Sequence, residues 1–258
     1  MSTHIYSSPI FGPVISRRLG VSLGINLMPA DGKICTFDCI YCECGLNAER
    51  RPALPRPTRQ EVRDGLQRQL EKMSAEGPKP DVLTFAGNGE PTAHPDFPGI
   101  VDDVIMLRDK YFPNAKVSVL SNATRVTAPK VFDALMRIDN NIQKLDTVDM
   151  EYIRKLDRPV GKYDLEAIID SLRKFNGHVI IQTMFLSGEV NGVDYDNTSD
   201  RYVIPWMNAI QSIRPEKVMI YTIDRETPVS GLRKATPQIL DKIAERLRMS
   251  GVDTGVSY

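Results

Sequence analysis

Cysteine is absent from this sequence outside one ten-residue window, which holds Cys35, Cys39, Cys42 and Cys44. A secreted disulfide scaffold would spread its cysteines to tie distant segments together, and loops this small gain little from a cross-link. A disulfide framework is therefore excluded. Also absent is any run approaching the roughly 18 consecutive apolar residues of a transmembrane helix, so no membrane partner is expected. The opening Met1-Ser2-Thr3-His4-Ile5-Tyr6 has no basic start leading into an apolar core. It is not read as a secretory signal, and the protein is expected in the cytoplasm. Net charge is missing too, since 33 basic residues offset 33 acidic ones. Bulk charge thus gives no claim on nucleic acid or anionic membrane, although a local basic patch remains open. The histidines, His4, His94 and His178, are too scattered to suggest a metal site.

What is present is ordinary for a globular chain. At 41% hydrophobic and 26% charged it is not disordered, and 258 residues suit one domain that needs no staples. Residues 1–258 are read as that single domain. Within it, 1–20 form an N-terminal extension, and 28–58 form a cysteine loop and a Pro-rich segment (Pro52, Pro55, Pro57).

Apolar strand-like runs recur at 21–27, 82–86, 116–120, 142–148, 179–186 and 217–223. Most are continuous, as buried parallel strands are. Helical patterns alternate with them at 59–74, 97–110, 129–137, 163–175, 201–213 and 237–249. Thr58 and Pro237 mark starts and Gly177 a stop. This alternation is the βα unit, and it predicts a parallel sheet with helices on its outer face. A full eight-unit barrel would need about 250 residues with none diverted. The predicted fold class is therefore α/β, a partial (β/α)6 TIM-like barrel of parallel strands with outer helices; an open doubly wound sheet is the alternative. In both, the site lies at the carboxyl ends of the strands, and the cysteines follow the first strand.

Three local tasks compete for the cysteines. They are an iron–sulfur cluster, a zinc site whose usual distant second pair is missing, or a chance cluster of small buried residues. The stretch Cys35-Thr36-Phe37-Asp38-Cys39-Ile40-Tyr41-Cys42 reads C-x3-C-x2-C with an aromatic before the last cysteine. It resembles the radical S-adenosylmethionine (SAM) superfamily. One strand later, Gly87-Asn88-Gly89-Glu90-Pro91-Thr92 resembles that superfamily's GGEP-type motif, with Asn88 in place of a second adjacent glycine. The resemblance implies a 4Fe–4S cluster on Cys35, Cys39 and Cys42, with the fourth iron taken by the amino and carboxylate groups of SAM. It implies a radical SAM enzyme: one electron from the reduced cluster breaks the C5′–S bond, and the 5′-deoxyadenosyl radical abstracts hydrogen from a substrate. An external one-electron donor such as flavodoxin or ferredoxin follows as partner. Cys44 is either a bystander or a fourth ligand, which would make an iron–sulfur electron-transfer protein without SAM chemistry.

The resemblance also implies cofactor contacts. The turn Gly87, Asn88, Gly89, Glu90 and Pro91 would hold the methionine ammonium, against a plain strand-to-helix turn. Ser121 and Asn122 suit a ribose or carboxylate, or a helix cap. Lys144 and Asp146 either reach the carboxylate and ribose of SAM or form an inward ion pair. Gln182, a lone amide in a buried strand, needs a partner. Tyr221, Thr222 and Ile223 stand where family members flank the adenine, and Tyr41 is the other aromatic candidate.

Residues 12–26 and 221–225, with the Gly-rich turn, resemble a branch of small stand-alone proteins grouped with the wyosine-type tRNA-modifying enzymes. This sequence shows neither a flavodoxin domain nor a second cysteine set for an auxiliary cluster, and both count against wyosine chemistry itself. The substrate is thus open between tRNA and a peptide or small molecule. Arg17 and Arg18 are candidates to grip a phosphate or carboxylate. Arg50, Arg51, Arg56, Arg59 and Arg63 form either an RNA-docking run or a solvated surface. Residues 187–200 read as a polar loop in which Glu189, Asn191, Asp194 and Asn197 are candidate substrate contacts.

Overall fold

In the computed structural model, which describes residues 4–16 and 19–258, the chain opens with an antiparallel pair, β1 (Ile10–Ser16) and β2 (Gly20–Ile25). Then follow β3 (Val82–Phe85), β4 (Lys116–Ser121), β5 (Asn140–Lys144), β6 (Ile180–Met184), β7 (Leu186–Val190), β8 (Val193–Asp194), β9 (Lys217–Tyr221), β10 (Leu232–Lys234) and β11 (Thr254–Ser257). An eight-stranded sheet runs β1-β2-β3-β4-β5-β6-β9-β11, with every pair from β2 onward parallel. The helices are α1 (Arg59–Glu76), α2 (Phe97–Tyr111), α3 (Pro129–Leu135), α4 (Met150–Leu156), α5 (Leu165–Lys174), α6 (Asp200–Ile213) and α7 (Pro237–Met249). This is the partial TIM-like barrel. Its six expected strands are β2, β3, β4, β5, β6 and β9, and β1 and β11 are added at the edges.

Local chemistry sets the helix starts. Thr58 and Glu61 cap α1 reciprocally, and Val62, Leu66, Leu70 and Met73 form its buried stripe. The alternation of strand side chains sorts the two faces of the sheet. Leu23, Leu83, Val117, Val119, Ile181 and Val218 pack outward into the main core with the helices. Gly24, Thr84, Leu120, Ile142, Met184 and Met219 face the concave side and line a cavity.

Two expectations need correction. The run at 142–148 is a strand only to Lys144, and α4 follows soon after. Residues 187–200 are not a plain loop: β7 and β8 form a hairpin, which β10 extends into a small second sheet. Its turn is Asn191-Gly192, both at positive φ (51° and 78°), the geometry that a two-residue hairpin of this twist requires. Asn197 is fully buried; it accepts from Leu186 N and donates to Met184 O, fixing the passage from β6 to β7.

Candidate active site at the cysteine loop

The loop after β2 is seated by backbone pairing on both sides. Ile34 N donates to Asn88 O (3.0 Å), and Glu90 N to Ile34 O (3.2 Å), a parallel bridge between the cysteine loop and the Gly-rich turn. Gly89 has φ 143°, and a Cβ there would stand 1.8 Å from Ile34 O, so only glycine fits. On the other flank, Ile40 N donates to Leu156 O and Val160 N to Thr36 O. A strap over residues 4–9 closes the third side. Asn88 Nδ2 donates to Tyr6 O and Pro29 O, and Asn26 Nδ2 to Tyr6 O and Ser7 O. His4 N reaches Glu43 O.

Each motif sulfur has its own nitrogen partner. Asn122 Nδ2 lies 3.5 Å from Cys35 Sγ and Lys144 Nζ lies 3.3 Å from Cys39 Sγ. Lys33, buried and donating to Gly45 O at 2.7 Å, hydrogen-bonds Cys42. Burial pushes the Cys35 thiol up to about 12 and Cys39 well above the usual thiol range. Cys42 goes the other way, because the Cys44 thiol hydrogen-bonds it and Lys33 stands beside it. Cys44 also lies 3.4 Å from Gly87 O.

Beneath the loop sits a charge network. Lys144 Nζ pairs with Asp157 Oδ1 and with Asp146 Oδ2 (3.1 Å), and lies 4.9 Å from the ring centres of Phe37 and Tyr41. Burial opposes the Lys144 ammonium, but the two carboxylates outweigh it and raise its pKa. Asp146 accepts from Tyr41 OH (2.5 Å) and Met184 N (2.9 Å). Glu90 is buried; it accepts from Thr92 N and Oγ1 and from Asn122 N (2.7 Å), and burial raises its pKa.

Above the loop, the concave face encloses a cavity of about 470 Å³. Tyr41, Gly87, Tyr221, Thr222 and Ile223, the expected cofactor contacts, line it together with Cys42, an expected cluster ligand. Gln182 shares the concave face, in register with Lys144 and Met219. Lys144 and Asp146 take the inward ion pair, and Glu90, Pro91, Ser121 and Asn122 form the wall behind the loop rather than the lining. The side chain of Asn88 is spent on the strap and Pro29. Glu189, Asn191 and Asp194 are exposed on the hairpin, away from the lining, and Arg17 and Arg18 lie outside the described residues. Several site residues escaped the sequence reading. Tyr6, Phe11 and Val14 wall the cavity from the N-terminal side, and Arg225 spans its mouth to Tyr6 OH (3.1 Å) and Glu43 (2.8 Å). Lys33, two residues before the motif, was the one visible signal.

The donor set suits a sulfur-ligated iron cluster. Three sulfurs come from one loop, each with a nitrogen partner, two of them cationic, and N–H groups of this kind stabilise and orient thiolate ligands. Among the described residues no three His, Cys, Asp or Glu side chains stand in a ready metal-holding group, so the fit rests on donor chemistry rather than on preformed ligand geometry.

Comparisons with known proteins agree. The family model described as "Radical SAM superfamily" matches residues 31–198. A UPF0026 protein of Helicobacter pylori is 29% identical over 241 residues, covering 90% of this chain and 71% of that protein. A radical SAM methyltransferase from Sphaerobacter thermophilus superposes with a TM-score of 0.67 at 15% identity, covering 92% of this chain and 66% of that one. Streptococcus suis SuiB, solved with SAM bound, gives 0.64 at 14%, covering 91% and 50%. Archaeal TYW1 gives 0.52 at 14%, covering 88% and 71%. At these identities the structures speak to fold alone, and the chain spans between half and two thirds of the first two. The family model, which covers more than half of the sequence and both motifs, decides the matter: this chain belongs to the radical SAM superfamily, whose members use a 4Fe–4S cluster and SAM, and is an enzyme of that class.

Proposed function

We propose that Cys35, Cys39 and Cys42 hold a 4Fe–4S cluster and that the cavity above them takes SAM and then the substrate. The observation that carries this is the placing of three separately partnered sulfurs beside a cavity at the carboxyl ends of the parallel strands. When bound, the pair would supply one-electron cleavage of the sulfonium and a radical able to abstract hydrogen. The chain's own residues bind, orient and shield. Tyr41, held by Asp146, and Tyr221, Thr222 and Ile223 offer the adenosine an aromatic and apolar wall. Gly87 lets backbone approach the methionine end. Glu90 ties the Gly-rich turn to the end of β4, and Asn122 carries that order to Cys35. The strap and Arg225 restrict water at the mouth. The electron comes from an external carrier, and reduced thiols fit a reducing compartment such as the cytoplasm.

The protein would be reconstituted with iron and sulfide without oxygen, reduced, and given SAM. The expected product is 5′-deoxyadenosine by mass spectrometry, lost in Cys39→Ala. A cluster that forms without cleavage would favour the electron-transfer alternative, and a wild type that takes up no iron would sink the reading. Salt-dependent tRNA binding would separate an RNA substrate from a peptide or small molecule.

A further inference from the structure

The cysteine loop is covered on one flank by a thin strip, the connection from α4 to α5. Asp38 N donates to the carbonyls of Asp157 and Arg158, Ile40 N to Leu156 O, and Val160 N to Thr36 O. Asp157 is buried with its Oδ1 3.6 Å from Cys39 Sγ, yet the next residue, Arg158, is exposed. The residue whose carboxylate touches this sulfur is thus the immediate chain neighbour of an exposed cation. The other flanks are taken by the strap, the Gly-rich turn and the cavity.

The charge of the strip is one-sided. Between Glu151 and Asp164 its exposed charges are Arg154, Lys155, Arg158 and Lys162, while Asp157 is spent on Lys144. Glu151 is tied to Lys155 (2.7 Å), and Asp164 caps α5. Val160, 59% exposed, adds an apolar contact, and the Phe37 and Tyr163 rings lie 5.5 Å apart beside it. None of these residues lines the cavity.

Resting on the functional reading above, we propose that this strip is the docking surface of a small acidic one-electron carrier, a flavin or iron–sulfur protein. The carrier loses one electron as the cluster gains one, and no bond or proton moves. The electron then enters over residues that do not line the cavity, so docking and catalysis do not compete for one opening. An RNA would also be drawn to basic side chains, but here it would sit away from the cavity where chemistry occurs.

The test compares the cluster-loaded wild type with Arg154→Glu/Lys155→Glu/Lys162→Glu, three exposed changes. Cluster reduction is followed by stopped-flow absorbance, using fully reduced flavodoxin at several salt concentrations and, separately, photoreduced 5-deazaflavin, a small reductant that needs no docking. We expect flavodoxin to reduce the variant about tenfold or more slowly, the wild-type rate to fall with salt, and the deazaflavin rate to be unchanged. Equal flavodoxin rates in wild type and variant would overturn the docking surface alone. So would a variant that loses tRNA affinity while keeping its flavodoxin rate. A wild type that takes up no cluster would overturn the functional reading and this proposal with it.

Discussion

His94 shows how a single ring can fix its own protonation state. Its Nε2–H donates to Pro57 O (2.9 Å), and its Nδ1 accepts from Asp96 N (3.1 Å), so the neutral ring satisfies both partners. Burial lowers the pKa of the ring, and a second proton would break the Asp96 bond. Since the unfolded chain protonates near pH 6.5, this contribution is complete above that pH and is lost as pH falls through the lowered native value. Urea midpoints measured from pH 8 to pH 5.5 should therefore decline, and His94→Gln should flatten the slope. Lys144 is the second case. Its side chain is 12% exposed, while those of Asp146 and Asp157 are 0% and 3% exposed. Lys144→Met would leave two buried carboxylates unpaired, at a cost of about 3–5 kcal/mol. Adding Asp157→Asn should return part of that in denaturant melts of the apo protein. At this scale the sequence offered Lys144 and Asp146 two fates. Only the packing of Phe37, Tyr41 and Asp157 around them decided for the inward one, and Asp157 carried no local signal.

Elements turned on their terminating residues. The Asn191-Gly192 dipeptide between Val190 and Val193 is a hairpin signal in its own right. A polar composition around it masked that signal, and Asn197, read as a candidate substrate contact, is a buried clamp. The two glycines at 89 and 192 make the contrast measurable. A Cβ on Gly192 meets nothing within 4 Å, so Gly192→Ala should cost about 1 kcal/mol through backbone conformation alone. Gly89→Ala instead drives a methyl into Ile34 O. It should cost more in thermal melts and weaken iron uptake on reconstitution, because the cysteine loop loses its seat. The strand β1 was invisible as a strand, since Gly12 and Pro13 interrupt its pattern at the bulge against β2.

For the whole molecule, the six central strands were legible because buried parallel strands read as unbroken apolar runs. The edges were not. β11 is four residues with one buried position, and β1 has no fully buried position, so neither carries a buried pattern. The cavity inherits that blindness: its floor comes from strands the sequence shows, and its near wall from the N-terminal segment it does not. Likewise the three cysteines are close in sequence, while Asn122, Lys144 and Asp157, which position Cys35 and Cys39, are distant. That arrangement has a temporal consequence. The loop's backbone pairs are made with the turn after β3, the end of α4 and the strap, so its seat is built by the fold and not by the metal. Iron starvation should then yield a folded, empty protein, unlike a zinc finger that collapses without its ion. Far-ultraviolet circular dichroism should superimpose with and without the cluster, and late loading onto a finished fold leaves the cell free to hold the enzyme in reserve.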